Sequence, residues 1–234
     1  MLRVAIARVP ARAGLAMPAW FGESERRRWG ALPPRSQPAF VASRALLREL
    51  LESATGVAGW DVSAEAGCAP QARVAGHDGA IRVSLSHRLG WVAAAVADTA
   101  VGIDVECDRP GRSDPDERAA LFLAPCEMAA WRGVAREDRG SALLARWTAK
   151  EAWFKAQPAQ DAAWDFRRVL AHACTARDAR SNVRTWRAAG VHVAVCGDPR
   201  GLVDVRGDGL PPGGVEGFWR VEAPGPVPTK CVPA

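Results

Sequence analysis

The stretch Arg146-Trp147-Thr148-Ala149-Lys150-Glu151-Ala152-Trp153-Phe154-Lys155-Ala156 holds two of the three lysines in the chain. The other 28 basic residues are arginine, so lysine stands here against the trend of the whole sequence. Arginine is a planar, permanently charged fork, whereas lysine is a compact cation that can release a proton. Two lysines beside a carboxylate in one helical stretch therefore point to positions where charge alone does not suffice. At about 100° per residue, Trp147, Glu151 and Lys155 lie along one stripe of that helix.

Upstream, Val101-Gly102-Ile103-Asp104-Val105-Glu106 reads as a short apolar strand interrupted by two acids. Residues two apart on a strand share a face, with Cα atoms about 6–7 Å apart. Carboxylates crowded on one face of a buried strand repel each other and lose hydration, an arrangement that makes sense with a cation between them. Glu151 supplies a third carboxylate, and Lys155 lies one turn further along. Three carboxylates without His or Cys partners suit a hard ion, most naturally Mg²⁺, which completes its shell with water and phosphate oxygens. Each half also has a plainer reading: an edge strand with its acids outward, and a Glu151–Lys155 surface pair worth about 0.3–0.5 kcal/mol.

The chain of 234 residues has room for one sizeable domain or two small lobes. Nearly half its residues are apolar and 24% are charged, which predicts a packed core rather than disorder. No apolar run approaches the roughly 20 residues needed to cross a bilayer. Arg3, Arg8 and Arg12 with no acid before residue 20 faintly resemble a transit peptide, but Leu2, Val4 and Ile6 alternate as in a first strand. Cys68, Cys107, Cys126, Cys174, Cys196 and Cys231 are scattered without a CxxC pair, so reduced thiols in a cytoplasm are expected and a structural zinc is not. A net charge of +5 favours anionic partners, and no nucleic-acid motif accompanies it.

The periodicity predicts a charged helical start over 23–28 and a strong helix over 40–53, with Leu46, Leu47, Leu50 and Leu51 on one side. Residues 56–79 read as a loop. Strands over 81–87 and 91–97 form a hairpin turning at Gly90, followed by the acidic strand. Asp114 caps a helix entered at Pro115; helical character pauses at Pro125 and resumes over 127–131. A further helix covers about 140–157. Short strands are expected over 166–174, 191–196, 202–205 and 217–222, with a frayed tail from Pro224. Helices between groups of strands give an α+β class.

In that order, Leu85-Ser86-His87, Gly102 to Glu106, Phe122 to Glu127 and Trp147 to Ala156 resemble the Sfp-type 4′-phosphopantetheinyl transferases, and Phe40 to Arg48 resembles that family's upstream Arg-Leu helix. The resemblance spans roughly residues 40–156. It implies two similar α/β lobes, 1–99 and 100–234, related by pseudo-twofold symmetry, with the active site in the cleft between them. It also implies transfer of phosphopantetheine from coenzyme A (CoA) to a serine of an apo acyl or peptidyl carrier protein, by a Mg²⁺-dependent monomer that engages neither nucleic acid nor membrane. Carried over by motif, Asp104, Glu106 and Glu151 hold the metal. Arg44, Ser86, His87 and Lys155 contact the phosphates of CoA, Lys155 assists the departing phosphate, and Glu151 or Glu127 takes the serine proton. The runner-up is a silent family member that binds a carrier without modifying it. Three departures bear on CoA and carrier contacts: Arg88 where the family usually has serine, no lysine over 67–79, and Gln157-Pro158-Ala159-Gln160 in place of a Gly-rich turn.

Overall fold

A strand with small or apolar residues at every position must be covered on both faces, and Trp91–Ala97 is such a strand, with all seven residues buried. The computed structural model describes residues 1–10, 16–63, 69–74, 81–108, 114–157, 165–176, 178–198, 203–206 and 214–223. The tail from Pro224, most of Gln157-Pro158-Ala159-Gln160 and part of the 56–79 loop lie outside them. In chain order the elements are β1 (Leu2–Arg8), α1 (Glu23–Ala31), α2 (Gln37–Thr55), β2 (Asp61–Val62), β3 (Ala72–Arg73), β4 (Arg82–Arg88), β5 (Trp91–Ala97), β6 (Gly102–Cys107), α3 (Pro115–Phe122), α4 (Pro125–Arg132), α5 (Arg139–Ala156), β7 (Leu170–Cys174), β8 (Val183–Ala188), β9 (Val191–Cys196), β10 (Val203–Arg206) and β11 (Val215–Glu222). The mixed helix-and-sheet class expected from sequence is what forms.

Two sheets carry the architecture, ordered β10-β1-β5-β4 and β6-β9-β8-β11-β7. On one face of β5, Val92, Ala94 and Val96 pack with the four leucines of α2. On its other face, Trp91, Ala93 and Ala95 meet Ile103 and Val105 of β6 and Val191, Val193 and Val195 of β9. The far side of the second sheet, including Ala194 and Cys196, is covered by Ala149, Ala152 and Trp153 of α5. The layers thus run α2, first sheet, second sheet, α5, and each strand alternates its side chains between two apolar neighbours.

The same succession occurs twice. β1, β4 and β5 pair with β5 between β1 and β4 and with α2 packed on them; β6, β8 and β9 pair with β9 between β6 and β8 and with α5 packed on them. All four pairings are antiparallel. Both hairpins close through two residues with positive φ, Leu89 (43°) and Gly90 (81°), and Ala189 (46°) and Gly190 (75°). That is the turn whose twist matches right-handed strands, and glycine takes its second place without steric cost.

β10 pairs in parallel with β1 and so returns a late segment to the first sheet. Two expectations change. The strand expected over 166–174 begins only at Leu170, because Asp165 accepts from the Arg167 amide at 2.9 Å and winds Phe166–Arg168 into a 3-10 turn. β8 was not foreseen, since its arginines mask the alternation of buried Val183 and Thr185. Asp114 does cap α3, accepting from the Asp116 amide at 2.9 Å.

Candidate active site

β6 is hydrogen-bonded to β9 along one edge and leaves amides on the other. Those amides meet β4, where alternation sends Ser84 and Ser86 towards the second sheet while Val83 and Leu85 pack with the α2 leucines. The Ser84 hydroxyl accepts from the Ile103 amide at 3.0 Å, and Ser86 accepts from the Val105 amide at 3.2 Å. Two serines thereby join the sheets at a seam, and the seam fixes β6 beside β4.

The opposite alternation on β6 puts Gly102, Asp104 and Glu106 on the α5 side. A Cβ on Gly102 would overlap the Ala152 carbonyl oxygen and lie 2.7 Å from the Ala156 amide nitrogen. Glycine here lets the α5 backbone rest directly on β6. That contact brings the α5 stripe over the acids, and Trp147, Glu151 and Lys155 line one open cleft of ≈ 300 Å³ with Ser86, His87, Arg88, Asp104 and Glu106.

Asp104 is 5% exposed. Its Oδ1 accepts from Lys155 Nζ at 2.7 Å and from Ser86 Oγ at 2.8 Å, while its buried Oδ2 has no hydrogen-bond partner. Lys155 uses all three ammonium hydrogens, donating also to the Ile103 carbonyl at 3.1 Å and to Ser86 Oγ at 3.2 Å. Glu106 is ion-paired with Arg88, Nε to Oε2 2.9 Å. Burial, then the negative charge of Asp104, pushes the Glu151 carboxyl above the usual carboxylate range; Glu106 adds to this and Lys155 opposes it. The pKa of His87 is pushed below its usual value by burial first, then by the positive charges of Lys155, Arg44 and Arg88.

Not every expected residue reaches the cleft as the sequence implied. Glu127 is buried beneath it as a structural acid: its Oε2 accepts from Lys150 Nζ at 2.6 Å and from the Ala124 amide at 2.8 Å, and its Oε1 from the Ala171 amide at 2.9 Å. A carboxylate so engaged, and absent from the cleft wall, is not placed to take a substrate proton. Lys150, fully buried, likewise uses all three donors, with the Phe122 and Phe166 carbonyls each at 3.1 Å. Both helical lysines are therefore tetrahedral junctions, a geometry the flat arginine fork cannot copy. Ser86 has its hydroxyl fully engaged, giving one hydrogen bond and receiving two, so it positions Asp104 and Lys155 instead of reaching out to phosphate. Arg44 is nine-tenths buried under the first sheet, 3.6 Å from Glu25 and over the Phe40 ring; burial lowers its pKa to about 10 against the pull of Glu25. It acts on the cleft through its charge on His87. Trp147 stacks on Phe166 at 4.8 Å and seats α5.

Sequence reading missed three neighbours of the acidic row. Arg88 shares the Ser86 face of β4, as a count of two would have shown. Asp108 extends the Asp104–Glu106 row by one more step, and His192, in register opposite Glu106 on β9, meets Asp108 at 3.1 Å. Only the strand register reveals the histidine.

Among the described residues, no three His, Cys, Asp or Glu side chains stand in ligating geometry around one point, Lys155 and Arg88 being interposed. The donor set nevertheless fits a hard divalent cation. It is all oxygen, it includes a buried carboxylate oxygen with no hydrogen-bond partner, and burial together with the charge of Asp104 raises the Glu151 pKa. No helix among the described residues is long and apolar enough to cross a membrane. Residues 100–196, which contain β6, α5, β8 and β9, match the model of the 4′-phosphopantetheinyl transferase superfamily. No curated protein matches the chain significantly.

Proposed function

We propose that the chain moves the 4′-phosphopantetheine arm of CoA onto a serine of an apo acyl or peptidyl carrier protein, releasing 3′,5′-adenosine bisphosphate. Asp104, Glu106 and Glu151 would hold Mg²⁺. The observation that carries this reading is the buried, unpartnered Oδ2 of Asp104 in a cleft shared with Glu151 and Lys155, within the segment matched to the transferase superfamily. The repeated β-α-β-β succession supports two lobes related by a pseudo-twofold axis with the cleft between them, with β10 crossing over to the first sheet.

Bound there, Mg²⁺ supplies positive charge to the diphosphate oxygens of CoA. Lys155 is held beside Asp104 with its ammonium at the cleft wall and, its three donors being engaged, acts on the departing α-phosphate through its positive charge. Glu151 lines the cleft with Asp104 and Lys155, which suits it to take the serine proton. As the proton moves to Glu151, the serine oxygen bonds to the β-phosphorus, and the bond to the α-phosphate oxygen breaks with its electron pair on the bisphosphate. A general base so placed contributes about 10²–10⁴-fold. The positive charges of Lys155, Arg44 and Arg88, which act together at His87, give the cleft an electropositive edge for the phosphates of CoA.

The test is incubation with CoA, Mg²⁺ and a panel of apo carriers, weighed by mass spectrometry. A carrier gaining one phosphopantetheine, with the gain lost in Asp104→Asn, Glu106→Gln and Glu151→Gln variants that melt like the parent, is the expected result. Carrier binding without any mass gain across the panel would favour the silent alternative. Full turnover in any of the three variants would remove that side chain from the metal site.

A further inference from the structure

The two cations at the cleft hold their acids differently. Lys155 makes three directed hydrogen bonds, which lock its ammonium between Asp104, Ser86 and Ile103. Arg88 meets Glu106 as an ion pair, Nε to Oε2 2.9 Å, in which that buried Nε makes no directed hydrogen bond. The Arg88 side chain is 39% exposed, so it has room to leave. Its backbone precedes the tight turn at Leu89 and Gly90, which fixes the base of the side chain and leaves its own torsions to move.

We propose that Arg88 gates the acidic site: in the ligand-free protein it neutralises Glu106 and holds down affinity for a divalent cation, and the diphosphate of CoA draws it away, so that cation and CoA bind cooperatively. The inference rests on the function proposed above and adds to it an order of assembly. Three carboxylates, Asp104, Glu106 and Glu151, share the cleft with two positive charges, Arg88 and Lys155. A divalent cation added alone would leave this group with a net positive charge and displace one arginine into solvent. Added with an anionic diphosphate, it leaves the arginine a new partner on the same cleft wall, and guanidinium is the cation best shaped for phosphate. His87, Arg88 and Lys155 line the same cleft, so the two cations stand where phosphate would enter. Coupling of this kind is reciprocal: whatever CoA does for the cation, the cation does for CoA.

The experiment measures Mn²⁺ binding by calorimetry to the full chain, alone and at saturating CoA, for the parent, Arg88→Ser, Arg88→Lys, Glu106→Gln and Glu106→Gln combined with Arg88→Ser. Removing one charge from a half-exposed pair should tighten binding of Mn²⁺ alone about tenfold in Arg88→Ser. The enhancement that CoA gives should shrink by the same factor. Arg88→Lys, which keeps the charge, should bind Mn²⁺ alone as weakly as the parent, and in the Glu106→Gln background the serine substitution should change nothing. Unchanged or weaker Mn²⁺ binding in Arg88→Ser overturns the proposal, as does an equal gain in the Glu106→Gln background. Asp104→Asn separates the two levels: if it leaves Mn²⁺ binding intact, the metal site itself is misplaced. If it abolishes binding while Arg88→Ser has no effect, only the gate fails.

Discussion

Gly102→Ala tests the contact on which the cleft depends. The added Cβ would overlap the Ala152 carbonyl oxygen and lie 2.7 Å from Ala156 N, 0.7 Å short of the 3.4 Å at which ordinary contact begins. The neighbours are backbone of α5, not the ends of flexible side chains, so relief requires the helix to back away by at least that distance. Overpacking of this kind costs about 1–3 kcal/mol, or a fall in Tm of about 2–12 °C for a chain of this size. The same retreat carries Glu151 and Lys155 away from Asp104, and a displacement near 1 Å at a reacting centre costs about 10²-fold in rate. Thermal unfolding and carrier modification read the two effects separately. Gly140→Ala, in the first turn of the same helix with nothing within 4 Å, is the control. It should be neutral or stabilise by up to about 1 kcal/mol. A Gly102→Ala protein with parental Tm and parental transfer would refute the argument that α5 is positioned by a missing side chain.

Lys150→Ala should cost about 3–5 kcal/mol in urea unfolding, because it strands the buried Glu127 carboxylate; parental stability would deny that pair its structural role. His87 has a depressed pKa in the folded protein, so between that value and the ordinary 6.5 the unfolded chain binds more protons. Its contribution to stability is therefore present above 6.5 and lost as pH falls through the folded value. His87→Gln should flatten this acid-side loss in pH-dependent unfolding, and an unchanged profile would show that the three nearby cations do not act on it.

The elements that read plainly from sequence are those whose pattern is local. The 91–97 strand, the leucine face of α2 and the cap at Asp114 each announce themselves within a few residues. Asp104, Glu106, Glu151 and Lys155 were legible because steps of two on a strand and four on a helix settle which side chains share a face. Glu127 was misread because an acid three residues into a helix looks the same whether it closes a capping box or waits in a cleft; its partners Lys150 and Ala171 lie 23 and 44 residues away. Ser86 matched its expected place but not its expected task, since the amide of Val105 that occupies it belongs to another sheet. His192 enters through cross-strand register, which no single stretch of chain records. β10 is the extreme case, with Leu2 and Val203 aligned across almost the whole sequence.

That last pairing bears on how the protein is made. A ribosome adds about 5–20 residues per second, so the outer margin of β1 waits on the order of 10–40 s after synthesis before its partner emerges. Throughout that interval a row of backbone donors and acceptors stands open beside an apolar ribbon, a template for stray chains. Nascent polypeptides halted before residue 203 would carry that template permanently, and crowded, incomplete products are where clumping should begin.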